Sequence, residues 1–260
     1  LRIPHLVVCV NKMDLIDYDE KAFNAVKEEF RNFAMKLEIS DLSFVPISAL
    51  HGDNVVERSA KMPWYEGSSL LHHLEEVHIA SDRNLIDARF PVQYVIRPQS
   101  EEHHDYRGYA GTVTGGVFKP GDEVVVLPSG FTSTVASIDS YDGPISEAFG
   151  PMSVTMRLTS EIDISRGDMI CRPNNQPTVS QDLQAMVCWM SESTELTPRM
   201  KLALKHTTRS SRALVSEIQY RIDVNTLHRD EKPESLKLNE IGRVSLRSTQ
   251  PLCFDAYRRN

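Results

Sequence analysis

The sequence predicts a multidomain chain: an α/β segment followed by an all-β remainder forming two small antiparallel β-barrels. Three observations carry this. Apolar runs at residues 5–10 and 43–47 flank a stretch of helical periodicity. Near residue 88 the pattern changes to strand-length alternation punctuated by Gly and Pro, and near Thr178 a second alternating block begins. The expected domains are therefore 1–88, 89–177 and 178–260.

In the first segment, residues 5–10 read as a strand. From 19 to 37, Phe23, Val26, Phe30, Phe33, Ala34 and Leu37 recur at helical spacing with charged residues between them. Asp17 or Asp19 is placed to cap this helix. Residues 43–47 follow as the parallel partner strand of a βαβ unit. Trp64 to Gly67 leads into a short helix over 69–77, and Ser81-Asp82-Arg83-Asn84 reads as a linker.

Chemistry enters at the two strand ends. Asn11-Lys12-Met13-Asp14 directly follows the first strand and Ser48-Ala49-Leu50 directly follows the second. A carboxylate at Asp14 can accept two hydrogen bonds from the N1 and N2 donors of guanine, an arrangement adenine cannot offer. Open α/β sheets bind ligands at strand C-termini, where both motifs fall. The pair resembles the guanine-reading loops of GTP-binding proteins. That resemblance assigns Asn11 to bracing the loop, the Lys12 stem to the purine face and Ser48 to steadying Asp14. It assigns the Ala49 N–H to the base O6 and Leu50 to packing on the ring.

The phosphate cradle GxxxxGK[ST] is missing, because no Gly-Lys dipeptide occurs in the sequence. The lysine and Mg²⁺ ligand of a hydrolytic site are expected upstream of Leu1. Asp105-Tyr106-Arg107-Gly108 fits a DxxG pattern but follows the guanine motifs in the wrong order and reads as coincidence. The chain reads as a piece of a longer protein with an exposed sheet edge, and no catalytic residue is assigned within it. The resemblance thus implies a fold class of a partial P-loop-type GTPase α/β domain followed by two β-barrels.

Composition sets wider bounds. The 260 residues are 40% hydrophobic with a net charge of −7, enough to bury two or three small cores. No apolar run approaches the ~18 residues of a membrane span. Lys and Arg against Asp and Glu number 9 and 15 in the first segment, 7 and 11 in the second, and 13 and 10 in the third. Only the third, with Arg199, Lys201, Lys205, Arg209 and Arg212, offers a basic surface, and on alternating strands this reads as a solvated face. Nucleic acid is not expected as a partner. Cys9, Cys171, Cys188 and Cys253 have no metal or disulfide spacing and read as reduced, mostly buried cytoplasmic thiols. The pairs His72-His73 and His103-His104 lack a third ligand and read as surface histidines.

In the second segment, Phe90, Val92, Tyr94 and Ile96 alternate. Residues 110–118 and 123–127 flank a Lys119-Pro120-Gly121-Asp122 turn in which Pro120 presets φ and Gly121 supplies a positive φ. Pro128-Ser129-Gly130 closes the next hairpin, strands follow at 135–140 and 153–158, and Ser165-Arg166-Gly167-Asp168 turns into 169–171. The Arg-Gly-Asp triplet there is a turn. In the third segment 184–190, 199–206, 214–222 and 241–246 read as strands, with 251–254 as a separate short one. Leu214, Ile218, Tyr220 and Ile222 form one apolar face against Glu217, Gln219 and Arg221. A barrel of this kind needs one more strand to close.

Gly108 to Gly116 with Lys119-Pro120-Gly121-Asp122 is similar to the second domain of the translation-factor class of GTPases. Residues 185–190, 204–208 (Leu-Lys-His-Thr-Thr), 223–227 (Asp-Val-Asn-Thr-Leu), 238–242 and 251–255 look like the GTPase subunit of bacterial sulfate adenylyltransferase. This resemblance implies GTP with Mg²⁺ as cofactors and a smaller catalytic subunit as partner. That subunit transfers AMP from ATP to sulfate, giving adenosine 5'-phosphosulfate and pyrophosphate, while GTP hydrolysis drives the uphill step. The alternative is an elongation factor delivering aminoacyl-tRNA.

Overall fold

The computed structural model describes residues 3, 5–37, 39, 41–77, 84–98 and 106–257. Expectations resting on Leu1, Ser81 to Arg83, His103-His104, Asp105 and residues 258–260 lie outside them. The chain forms two compact units, Leu1–Arg83 and Asn84–Asn260.

The first unit is built on a parallel pair. Strand β1 (His5–Val10) lies beside β2 (Asp41–Pro46) in register from His5 opposite Asp41 to Val10 opposite Pro46. Helix α1 (Glu20–Ala34) connects them. Asp19 is its cap, its carboxylate accepting from the Lys21 and Ala22 amides at 3.2 and 3.1 Å. The helix ends three residues earlier than its periodicity predicts, giving way to a 3₁₀ turn over Met35–Leu37. Its buried stripe also differs from the expected one. Phe23, Lys27, Phe30 and Ala34 face the core, and the Lys27 stem carries its ammonium to 5.9 Å from the Phe23 ring and 6.0 Å from that of Phe44. Val26, one position off this stripe, is 45% exposed, and Leu37 is likewise exposed. Met13, Phe23, Phe44 and Met62 form the centre of the core, with Phe23 and Trp64 rings 5.4 Å apart.

The loop from β2 to α2 (Leu70–Glu76) folds back on the sheet through Asn54. This buried side chain donates to the Pro46 carbonyl at 2.9 Å and accepts the Ser59 amide at 2.7 Å. The loop thus leaves Ser48 two residues past the end of β2.

The second unit opens with β3 (Arg89–Ile96), β4 (Gly108–Thr112), β5 (Val117–Phe118), β6 (Glu123–Leu127) and β7 (Phe131–Ser140). It continues with β8 (Gly143–Ile145), β9 (Ala148–Phe149), β10 (Ser153–Leu158) and β11 (Met169–Cys171). Strands β10, β4, β3, β11, β6 and β7 pair in that order, and β7 returns to β10. That closure makes a six-stranded barrel without a free edge. Phe90, Val92, Tyr109, Val124, Val126, Ile138, Met156 and Ile170 fill it. The single strand expected over 110–118 is broken between β4 and β5 at Gly115-Gly116, because Gly116 turns with φ +65° against the Ala88 backbone. Gly121 has the expected positive φ, +94°.

The remaining strands are β12 (Thr178–Cys188), β13 (Lys201–His206), β14 (Arg209–Ile222), β15 (Arg229–Glu231) and β16 (Ile241–Phe254). They pair in the order β12, β16, β14, β13, with β15 on β14. Leu196, Val215, Ile218, Leu236, Val244 and Leu246 make the core. The expected apolar face of β14 is displaced. Ala213 and Val215 are buried whereas Leu214 is 39% exposed, and the parity changes at Ile218. Register shifts after Val215 and after Ile218 cause this, since one extra residue flips every later side chain. The separate strand expected at 251–254 is the end of the continuous β16.

The two sheets meet inside this unit. Arg89 pairs through Nε and Nη2 with both Asp255 oxygens at 2.8 Å, and Arg209 Nη2 reaches Asp168 Oδ1 at 2.6 Å. Val125, Leu127, Met169, Cys171 and Cys253 pack alongside. Two of the four thiols, Cys9 and Cys188, are exposed, so the expectation of mostly buried cysteines holds only for Cys171 and Cys253.

Candidate functional site

The ends of β1 and β2, with Val10 opposite Pro46, bring the residues after them together, because parallel neighbours in register terminate together. After Val10 the chain enters a 3₁₀ turn over Met13–Ile16, with Lys12 before it in the left-handed region at φ 65°. Met13 is fully buried under the turn, its amide donating to the Ile47 carbonyl at 3.2 Å while the Ile47 amide donates to Val10 at 2.9 Å. These crossed bonds lock the two strand ends. Asp14 is thereby raised at the rim, its side chain 14% exposed.

Two clasps join the motifs. The Ser48 hydroxyl donates to Asp14 Oδ1 at 2.6 Å. Asn11 Oδ1 accepts the Ala49 amide at 3.0 Å and its neighbour's Lys12 amide at 2.7 Å. The Ala49 N–H assigned by resemblance to a guanine O6 is therefore engaged by Asn11, and a base oxygen there has to share or replace that bond. Lys12 and Leu50 are exposed, Leu50 at 82%.

The electrostatics favour an ionised acceptor. The Ser48 hydrogen bond is the main influence holding the Asp14 carboxyl below its ordinary range, against desolvation, with help from its own backbone amide and from His51. His51 Nε2 lies 4.0 Å from Asp14 Oδ2. Asp14 does not cap the turn it sits in; the capping position is Lys12, which makes no side-chain capping bond.

Sequence reasoning passed over His51, and it passed over a third connection formed by Tyr18, Asp53, Ser59 and Lys61 behind the two loops. Only the polar character of the stretch after Leu50 pointed to His51, Asp53, Ser59 and Lys61, and nothing local marked Tyr18. Elsewhere, His72 Nε2 is 3.1 Å from Glu76, and among the described residues no three His, Cys, Asp or Glu side chains converge as a metal site. Of the basic residues in 199–212, Arg209 is committed to Asp168, and Arg199, Lys201, Lys205 and Arg212 are exposed. No helix among the described residues is long and apolar enough to cross a membrane.

Comparison with known proteins agrees with this architecture. Residues 182–260 match the family described as GTP-eEF1A C-terminal domain-like. The chain is 57% identical over 260 residues to the bifunctional enzyme CysN/CysC of Mycobacterium tuberculosis (strain ATCC 25618 / H37Rv), covering all of this chain and 42% of that protein. It is 47% identical over 260 residues to sulfate adenylyltransferase subunit 1 of Bacteroides fragilis (strain YCH46), again over the whole chain and 53% of that protein. The chain spans about half the length of these relatives. Among solved structures, sup35 complexed with GDP superposes with a TM-score of 0.61 at 21% identity, over 98% of this chain and 64% of that one. The elongation factor SelB of Methanococcus maripaludis, in its apo form, gives 0.55 at 21% identity, over 96% and 52%. At that identity the structural likeness speaks to fold alone. The chain is thus similar, along its entire length, to sulfate adenylyltransferase subunit 1 and to CysN/CysC.

Proposed function

We propose that this chain supplies the guanine-reading half of the nucleotide domain, and two β domains, of the GTP-binding subunit of a sulfate adenylyltransferase. The observation that carries the reading is identity of 47–57% to subunit 1 and to CysN/CysC over every residue of the chain. The donor set at the strand ends fits the base. An ionised Asp14, steadied on one oxygen by Ser48, is an acceptor for the two adjacent N–H donors that distinguish guanine. Asn11 holds the Ser48 loop against it, and the stem of Lys12 with Leu50 supplies apolar surface for the ring. GTP, when bound, supplies the free energy of hydrolysis; Mg²⁺ belongs with its phosphates, and neither is routed through a residue of this chain.

The coupling partner in this reading is a smaller subunit that moves AMP from ATP to sulfate, and the similarity to a protein named as subunit 1 supports such a partner. The mixed phosphoric-sulfuric anhydride is a high-energy product. Its formation needs GTP-dependent conformational states that bind ATP, sulfate and product with different affinities. The reading places the complex in the cytoplasm, where ATP, GTP and reduced thiols coexist.

The test is pyrophosphate release from ATP by the full-length protein with its co-purifying subunit, with and without sulfate and GTP. Release that requires sulfate and rises with GTP is expected. An intact, GTP-hydrolysing preparation without this activity refutes the reading and makes tRNA the next ligand to test.

A further inference from the structure

Asp14 and Ala49 lie on different loops, and their joint contacts to one base weaken if either loop shifts by a fraction of an ångström. Of the two clasps already described, the Asn11–Ala49 bond is exposed and the Ser48–Asp14 bond is partly buried. Behind them is a third connection, further from the place of the base, and its centre is a carboxylate only 10% exposed.

We propose that Asp53, through Tyr18, is a positioning residue for guanine recognition, tying the turn after β1 to the loop after β2. The inference rests on the guanine-reading role of Asp14 proposed above. Asp53 reaches the second loop twice. Its carbonyl accepts the Ser48 amide at 3.1 Å, and its Oδ1 accepts the Ser59 hydroxyl at 2.6 Å. Its Oδ2 reaches the first loop, accepting the Tyr18 hydroxyl at 2.8 Å, and it also accepts the Lys61 ammonium at 3.2 Å. Lys61 closes the triangle at 3.0 Å from the Tyr18 hydroxyl.

Tyr18 is in turn rigidly joined to the turn that carries Asp14. Its amide donates to the Met13 carbonyl at 2.9 Å, and its carbonyl accepts Trp64 Nε1 at 3.0 Å. Asp17 and Tyr18 are both left-handed, at φ 50° and 59°. Two consecutive non-glycine residues in that region store strain that persists only where the surroundings hold it. Here the strain aims the Tyr18 ring back across the loop pair at Asp53. Asp53 touches no substrate in this scheme; it acts by fixing where Ser48 and Asp14 stand.

The experiment uses the full-length protein and compares GDP with inosine diphosphate, which lacks the N2 amine and so forfeits one of the two Asp14 contacts. For Tyr18→Phe, the GDP dissociation constant should rise about tenfold while that for inosine diphosphate rises much less, with little change in melting temperature. Asp53→Asn should do the same more strongly. Lys61→Met, at a half-exposed position, should fold normally and show a smaller shift of the same kind, with Lys61→Arg restoring wild-type selectivity. Unchanged constants in Tyr18→Phe and Lys61→Met overturn the inference. So does equal weakening of both nucleotides in step with a falling melting temperature, which marks a purely structural contact. An Asp14→Asn arm separates the two levels. If that variant keeps its GDP affinity, the base-reading role itself fails. If it loses GDP and the Tyr18 variant keeps the wild-type ratio, only the role of Asp53 fails.

Discussion

Ser48 Oγ stands 2.6 Å from Asp14 Oδ1, joining residues 34 positions apart in sequence. The hydroxyl donates a stronger bond to the ionised carboxylate than to the neutral acid, which is the main reason the Asp14 carboxyl is held below its ordinary range. A depressed folded-state value means the acceptor stays charged as pH falls, until the pH passes through that lowered value. Replacing Ser48 by Ala removes the main cause of the depression. GDP affinity of the full-length protein should fall on the order of tenfold at neutral pH, and the acidic limb of its binding curve should move to higher pH. Titration of binding from pH 7 downwards checks both.

Asp14→Asn exchanges an acceptor for a donor at one atom. The variant should lose guanine nucleotides by at least about a hundredfold and gain xanthosine nucleotides, whose C2 carbonyl accepts from the new amide. Competition between GDP and xanthosine diphosphate gives the answer directly. Retained guanine preference would leave Asp14 as a residue of the turn alone.

Arg89 and Asp255 form a two-toothed pair with side chains 7% and 11% exposed, backed by the Asn175 carbonyl at 2.7 Å from Arg89 Nη1. Removing one charge strands the other. Arg89→Met should cost about 3–5 kcal/mol of unfolding free energy, whereas Arg89→Met with Asp255→Leu should recover most of it. Denaturant melts of the four proteins of this cycle measure the difference.

Two glycines with positive φ separate backbone strain from crowding. Gly121, at φ +94°, has nothing within 4 Å of where a Cβ would stand, so Gly121→Ala should cost about 1–2 kcal/mol from strain alone. At Gly116 a Cβ would overlap the Ala88 backbone as well. Gly116→Ala should therefore be markedly less stable than Gly121→Ala, or fail to accumulate in soluble form. Equal melting temperatures for the two would contradict the packing described at the β4–β5 break.

Burial pushes the Cys171 thiol up to about 12, and Cys253 beside it is raised for the same reason. Thiolate, the reactive form, is therefore scarce at both near pH 8. A thiol-reactive chromophore should modify exposed Cys188 in the native protein at that pH and reach Cys171 and Cys253 only on unfolding.

Local pattern made much of this molecule legible. The 3.6-residue period showed α1, with Asp17 or Asp19 as its cap, of which the structure uses Asp19; the strand-helix-strand order showed the parallel pairing of β1 with β2, and the glycines showed the turns at Gly121 and Gly167. It went astray where a long-range contact outweighed the local rule. Lys27 took the core position that hydrophobicity gave to Val26, because a four-carbon stem beneath an ammonium over two rings fills the same space. On β14, bulges moved Leu214 to the outside, and no single-strand pattern records which partner residue is skipped.

The candidate site divides in the same way. That the motifs of Asn11, Asp14 and Ser48 to Leu50 would meet was readable, because they are contiguous, sit at strand ends, and a parallel sheet brings strand ends together by construction. The bond from Ala49 to Asn11, and the convergence of Tyr18, Ser59 and Lys61 on Asp53, were decided only when the loops folded against each other. Sequence determines which groups can donate and accept. Hydrogen bonds are short and directional, so which of those groups meet depends on loop paths that no local spacing encodes.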